Sequence, residues 1–505
     1  MATGKINRSL PCSQHGRTHE VNEMNITQSI RSLYIDGAWH SAISDVKIAV
    51  INPATLQPIM RVSFGGTEET KEAIQAAKAA FPSWSSLSPR ERANYLYRAR
   101  DILLDKVDFI GRLITKEQGK PLAEAKGEVK GAASFLEWYA EEATRLYGEH
   151  IPSSNPAKRL SVIPQPIGVI GAITPWNFPA SMITRKIAPA LAAGCTVVLK
   201  PAPETPLTAI ELMKVFHQAG LPKGVVNLVT GDAEKIGAAL LESEDVRLLT
   251  FTGSTEVGKH LIRGSADTVK KLSLELGGHA PILVFQSADL EKAVNLTIAS
   301  KFRNSGQTCI CANRVFVERK VLNEFQELLV QKVKELKLGD GLESSTTLGP
   351  LINGRAYDKV THHVEEAVSK GATVLYRGDE KDEQLAGYFH PPVVLTSIKE
   401  EMLIMNEETF GPVLPIIPFD EEREAIDRAN DSPYGLAAYV FTKDLNQSIS
   451  VSEQLHYGII GINDVFPATP EAPFGGVKQS GFGKEGGHQG IHEFLDWKYI
   501  STSLS

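Results

Sequence analysis

Two of the four cysteines in this 505-residue chain stand two places apart, at the end of Phe302-Arg303-Asn304-Ser305-Gly306-Gln307-Thr308-Cys309-Ile310-Cys311. A thiol behind Gly, Gln and Thr is placed to act as a nucleophile. Against that stands the commoner fate of free cysteine, a small buried hydrophobe. A carboxylate and an amide elsewhere favour chemistry. Glu275 lies in Leu274-Glu275-Leu276-Gly277-Gly278. Desolvation between leucines would raise its pKa and make it a better base near neutral pH. The bland alternative is a Glu paired with Lys270 or Lys271. Asn177 lies in Pro175-Trp176-Asn177-Phe178-Pro179. It either shapes that turn or aims its amide at a developing oxyanion.

These groups need elements to hold them. From residue 166 onward, short apolar runs rich in β-branched residues alternate with segments of helix length. The runs lie at 167–173, 196–199, 225–229 and 248–251. Continuous apolar strands between helices predict a parallel sheet covered on both faces. Such sheets bind ligands beyond the carboxyl ends of their strands. The Asn177 turn, Lys200-Pro201-Ala202-Pro203-Glu204 and Thr252-Gly253-Ser254-Thr255-Glu256-Val257-Gly258 all follow such runs. The last opens a helix, whose backbone amides could hold a phosphate. It is not Gly-x-Gly-x-x-Gly, so a plain strand-to-helix turn is the simpler reading. Lys200 is either a solvated strand end or a donor to a ribose or phosphate.

A second alternating region runs from about 281 to 460, and residues 68–145 read as mostly helical. Within them Ser88-Pro89-Arg90-Glu91 carries a capping box with proline at the first helical position. A short strand and turn are expected at 33–37, and an edge strand at 497–502 that would pair with another subunit. Residues 1–30 are polar and are expected to be a disordered extension.

Composition excludes several classes. The net charge is -7, which argues against nucleic acid as the main partner. No apolar run approaches the roughly 18 residues of a membrane span. Four cysteines in so long a chain fit a reducing compartment, and no second Cys or His pair stands at zinc-site spacing. The cytoplasm is expected, with the mitochondrial matrix as the alternative in a eukaryote.

The segments above, in this order, resemble the aldehyde dehydrogenase superfamily. The resemblance runs from about residue 33 to the C-terminus. Its motifs are Pro175-Trp176-Asn177-Phe178-Pro179, Lys200-Pro201, Phe251-Thr252-Gly253-Ser254, Leu274-Glu275-Leu276-Gly277-Gly278, Gly306-Gln307-x-Cys309, Glu408-Thr409-Phe410-Gly411-Pro412 and Pro473-Phe474-Gly475-Gly476. It implies that Cys309 is the nucleophile, Glu275 the general base, and Asn177 an oxyanion donor beside the Cys309 backbone N–H. It implies NAD or NADP as cofactor. Lys200 would contact the adenosine ribose, Gly253 and Ser254 the pyrophosphate, Glu408 the nicotinamide ribose, and Trp176 and Phe410 the cofactor cleft. No metal is implied.

The runs 300–314 and 181–186 are similar to the succinate-semialdehyde branch. There Arg185 and Arg303 would bind the distal carboxylate of the substrate, and Thr469 stands where a carboxylate-binding Ser is expected. Each Arg could instead serve a surface or interface salt bridge. The loop 464–471 departs from the branch in its prolines and Phe466, so 2-oxoglutarate semialdehyde, glutarate semialdehyde or a small hydroxy aldehyde remain open. NAD-preferring relatives often carry Glu three residues after the Lys200 position. Pro203 stands there, with Glu204 one place later, so the barrier to NADP is relaxed unless Glu204 takes over the role. Cys311 is a candidate redox partner of Cys309.

The resemblance implies an α/β fold with two doubly wound parallel-sheet domains and a small β flap for oligomerisation. Residues 31–142 and 166–276 would bind the cofactor, 277–487 would be catalytic, and 143–165 with 488–505 would form the flap. A homodimer or homotetramer is expected. Two rivals remain: a CoA-acylating enzyme, which has no need of the Glu275 base, and a non-catalytic relative, which need not keep Cys309, Glu275 and Asn177 together.

Overall fold

The computed structural model describes residues 29–379 and 385–504. Among these residues two large sheets dominate. The first has eight strands, in the order Gly481–Phe482, Lys271–Glu275, Val246–Thr252, Val169–Ile173, Thr196–Lys200, Val226–Leu228, Leu33–Ile35 and Ala38–His40. The five strands from Lys271–Glu275 to Val226–Leu228 are mutually parallel, and the flanking strands run antiparallel. Val169–Ile173 and Thr196–Lys200 are buried along their whole length, as strands covered on both faces must be. The predicted run at 167–173 enters the sheet only at Val169, because Gly168 before it takes φ 133°.

The second sheet has seven strands, Thr373–Arg377, Val393–Thr396, Val413–Phe419, Ala312–Glu318, Ala280–Val284, Ala437–Phe441 and Ile459–Ile462, parallel except for the first pair. The α/β fold with two parallel-sheet bodies expected from the sequence is present. The helices Thr67–Ser85, Pro89–Asp105, Val107–Gln118 and Leu122–Glu142 fill the region predicted to be helical. The capping box at Ser88 is formed: Ser88 Oγ accepts from Glu91 N, and Glu91 Oε2 accepts from Ser88 N.

Two smaller sheets complete the molecule. Leu495–Ser503 pairs antiparallel along its length with Lys158–Pro166, which pairs on its other side with Glu149–Ile151. Among the described residues the last strand therefore has one partner strand and one open edge. It bears exposed Trp497, Tyr499 and Ile500. Ser29–Ile30 pairs with Pro58–Ser63, so the extension expected at 1–30 stops short of these two residues; 1–28 lie outside the described residues. No helix among the described residues is long and apolar enough to cross a membrane.

Candidate active site

Cys309 lies on a turn between the helix Leu290–Phe302 and the buried strand Ala312–Glu318. The approach to it is contorted. Asn304, Ser305 and Gly306 take φ of 50°, 57° and 76° in succession. Left-handed backbone in non-glycine residues costs of order 1–3 kcal/mol each and persists only where the surroundings over-determine it. Here they do. Asn304 N donates to Glu124 Oε2 at 2.8 Å, Ser305 Oγ to Gly349 O at 2.8 Å, and Ile352 N to Gln307 Oε1 at 2.9 Å. A Cβ on Gly306 would fall 2.2 Å from Gly411 O, and one on Gly278 would fall 2.2 Å from Cys309 O. Glycine at both places lets the thiol turn settle against its neighbours.

Asn177 is tied into the same turn. Its Nδ2 donates to Gln307 O at 3.1 Å, while its backbone carbonyl accepts from Asn304 Nδ2 at 3.0 Å and Lys120 Nζ at 2.7 Å. Lys120 is wholly buried, paired at 2.7 Å with buried Glu128. The other oxygen of Glu128 accepts from the N–H groups of Ala180 and Ser181. Lys120, Glu124 and Glu128, all near the start of one helix, thus fix both the amide turn and the thiol turn. Sequence reasoning passed over all three.

Glu275 ends the strand Lys271–Glu275 and is 3% exposed. Its two carboxylate oxygens have no hydrogen-bond partner among the described groups. Burial first, and the Glu485 carboxylate second, push its pKa well above the usual range, while Lys186, Lys484 and Arg185 pull it down. It does not pair with Lys270 or Lys271. Lys270 serves the carbonyls of Leu240, Ser243 and Val246, and Lys271 sits 3.5 Å from Glu493. Gly475 leaves room for it: a Cβ there would lie 2.8 Å from Glu275 Oε1.

Two cavities meet at Cys309. One, about 390 Å³, is lined by Trp176, Asn177, Glu204, Gly253, Ser254, Glu408 and Phe410 among others. Ser254 caps the helix Thr255–Gly264 by accepting from Val257 N. Glu408 Oε1 accepts from Gly278 N at 3.1 Å, and burial holds its carboxyl up at about 7. Trp176 and Phe410 meet edge to face at 5.6 Å. The other cavity, about 230 Å³, is lined by Arg185, Arg303, Phe178, Phe466 and Phe474 among others. Met182 and Cys309 belong to both walls.

In the smaller cavity Arg185 sits 4.9 Å over Phe135 and 4.8 Å over Phe474, and its buried Nε has no partner. Arg303 sits 5.2 Å over Phe178 and 5.9 Å over Phe466. Arg185 Nη1 also lies 3.8 Å from Glu485 Oε2 inside the chain, and two guanidiniums on the wall of one cavity suit a further carboxylate. Burial pushes the Cys309 thiol far up, helped by the carboxylates of Glu408 and Glu275 and opposed by Arg185. Such a shift favours the thiol over the thiolate.

Some sequence-predicted residues stand elsewhere. Pro203 is exposed and absent from the larger cavity's wall; its neighbour Glu204 is on it. The turn points the next side chain inward. Lys200 is buried at the end of its strand and is not among the residues lining that cavity; burial lowers its pKa, and Glu204 and Asp232 oppose the shift. Thr469 is exposed, while Ala468 and Pro470 on either side line the smaller cavity. Cys311 is buried, donating to Gly306 O at 3.3 Å and lying 3.6 Å from Lys301 Nζ, away from both cavities. Sequence reasoning also missed Lys186 and Glu485. Their charges in otherwise apolar, Gly-rich runs were the only signal.

A sequence profile of the Aldehyde dehydrogenase family matches residues 39–500. The chain is 50% identical to the glutarate-semialdehyde dehydrogenase of Pseudomonas putida over 471 residues, 93% of this chain and 97% of that protein. It is 48% identical to the NADP(+) succinate-semialdehyde dehydrogenase of Escherichia coli, over 96% of this chain and all of that one. The crystal structure of succinate-semialdehyde dehydrogenase from Burkholderia pseudomallei superposes with a TM-score of 0.93 at 46% identity, covering 97% of this chain and 100% of that one.

Proposed function

Because the chain belongs to the aldehyde dehydrogenase family, we propose that it oxidises a semialdehyde to the dicarboxylic acid with NAD or NADP, succinate semialdehyde being the first candidate and glutarate semialdehyde the second. The observation that carries the substrate class is the pair of guanidiniums, Arg185 and Arg303, on the wall of a 230 Å³ cavity that also exposes Cys309. Sites for drug-sized ligands run to about 300–1,000 Å³, so this one suits a small metabolite.

The larger cavity fits a dinucleotide. It offers a capped helix N-terminus at Ser254 for phosphate, carboxylates at Glu204 and Glu408 for ribose hydroxyls, and two aromatic rings for a flat heterocycle. Bound there, the nicotinamide would supply the hydride acceptor that converts a thiohemiacetal on Cys309 to a thioester. The protein does the rest. Glu275, once ionised, takes the thiol proton, releases it to solvent, and in its ionised form again takes a proton from the attacking water. Cys309 Sγ bonds to the aldehyde carbon. Asn177 Nδ2, with one N–H held by Gln307 O, and the Cys309 backbone N–H meet the oxyanion. Water then resolves the thioester. The retained base favours water over CoA in this step, and thiol, base and amide donor together disfavour a non-catalytic role.

The open edge of Leu495–Ser503, with its aromatic face, supports subunit pairing, as a homodimer or homotetramer. The substrate reading is tested by comparing kcat/KM for succinate semialdehyde with that for butanal. The expected preference for the semialdehyde is large, and equal values would sink it.

A further inference from the structure

The packing of the molecule does not account for one wall of the smaller cavity. The helix Leu122–Glu142 contributes Gly127, Gly131 and Ser134 to that wall. They are spaced four and three residues apart, so they share one helical face. Glycine inside a helix is destabilising relative to alanine. Close approach or a left-handed φ usually explains it. Neither applies here: a Cβ on Gly127 or Gly131 would meet no atom within 4 Å, and neither residue has a positive φ. Gly111 in the preceding helix shows the contrast, since its Cβ would fall 2.8 Å from the Lys126 side chain. In front of half-buried Gly131 lies the cavity, and exposed Gly127 stands at its open mouth.

A second observation ties this space to a ligand. Arg185 is 8% exposed, lines the same cavity, and keeps its buried Nε unpartnered. We infer that Gly127 and Gly131 widen the acyl cavity, so that it takes aldehydes whose carboxylate-bearing chain carries a ring or a branch as well as straight chains. The inference rests on the carboxylate reading given above. The arginines hold the acid, and the two glycines set how much bulk can lie between the acid and the aldehyde. Larger side chains at these positions would occupy that space at no cost to helix propensity.

The experiment is steady-state kinetics of the full chain with 4-formylbenzoate, succinate semialdehyde and benzaldehyde. The wild type is expected to oxidise 4-formylbenzoate with a kcat/KM within about tenfold of that for succinate semialdehyde. Gly131→Leu is expected to lower the ratio of the two by about tenfold or more, and Gly131→Ala by less. The KM for the nucleotide reports an intact fold. A wild type inert towards 4-formylbenzoate but active on succinate semialdehyde overturns the inference, as does an unchanged ratio in Gly131→Leu. Failure of the underlying reading looks different: benzaldehyde would then match 4-formylbenzoate, and the role of the glycines would be decided by whether Gly131→Leu impairs both ring aldehydes relative to butanal.

Discussion

Lys186 and Glu485 meet at 2.6 Å, 299 residues apart in the chain, and both are almost wholly buried. Breaking a buried pair by removing one partner is costly, so this ion pair is a fixed part of the surroundings of Glu275. Its two charges act on that carboxyl in opposite senses: Glu485 raises the Glu275 pKa and Lys186 lowers it.

The first prediction follows from those signs. Glu485→Gln removes a negative neighbour and leaves Lys186 positive, so Glu275 ionises at lower pH. The acid limb of the kcat–pH profile moves down. Lys186→Met leaves Glu485 uncompensated and moves the limb up. Shifts in the same direction would show that Glu275 is not the base.

Cys309→Ala is expected to abolish turnover while leaving nucleotide binding measurable by fluorescence titration. Asn177→Ala should lower kcat by about 10²–10³-fold, the usual loss for one oxyanion donor. A smaller effect on kcat than on KM would mean that Asn177 serves only the turn.

Arg185→Met and Arg303→Met should each lower kcat/KM for succinate semialdehyde by about 10- to 100-fold, the range of a lost hydrogen bond to a charged group. Activity on butanal should fall much less. The two losses should not add, because one carboxylate serves both.

Glu204, rather than Pro203, faces the larger cavity. A 2′-phosphate would meet its charge, whereas a 2′-hydroxyl could donate to it. Glu204→Gln should therefore raise the NADP/NAD ratio of kcat/KM, by about tenfold for about 1.4 kcal/mol of relieved repulsion. No change would place the adenosine ribose elsewhere.

Peroxide converts a thiolate at Cys309 to a sulfenic acid, and attack by the Cys311 thiolate would expel hydroxide and form a disulfide. Activity lost this way should return with dithiothreitol in the wild type and stay lost in Cys311→Ala. Because Cys311 is anchored to Gly306 O, the turn must reopen, and inactivation should be slow. Equal recovery in both proteins would exclude the switch.

Much of this was legible in the chain. β-branched runs announced the parallel strands, because burial on both faces leaves no polar position to interrupt them. The Ser88 box announced a helix start, because its bonds span only three residues. Cys309, Glu275 and Asn177 were singled out by their turns, and the catalytic roles given to them are a proposal. Lys120, Glu128, Lys186 and Glu485 were not, because their partners come from distant segments and a buried charge has no periodicity. The choice between Pro203 and Glu204 stayed open in the sequence, since the direction of a side chain in a turn depends on backbone angles that spacing does not reveal. Gly127 and Gly131 were silent too. Only the empty space before them gives them meaning.

Cys309 stands in a party wall between two rooms, each with its own door. On the proposed reading, an aldehyde arriving through the smaller room need not pass a nucleotide in the larger one, and the acid could depart while the spent nucleotide is still in place. Traffic on the two sides is uncoupled by geometry. On that reading, any compulsory order of arrival would come from the thiol turn itself, the one piece of backbone that both rooms share at Cys309.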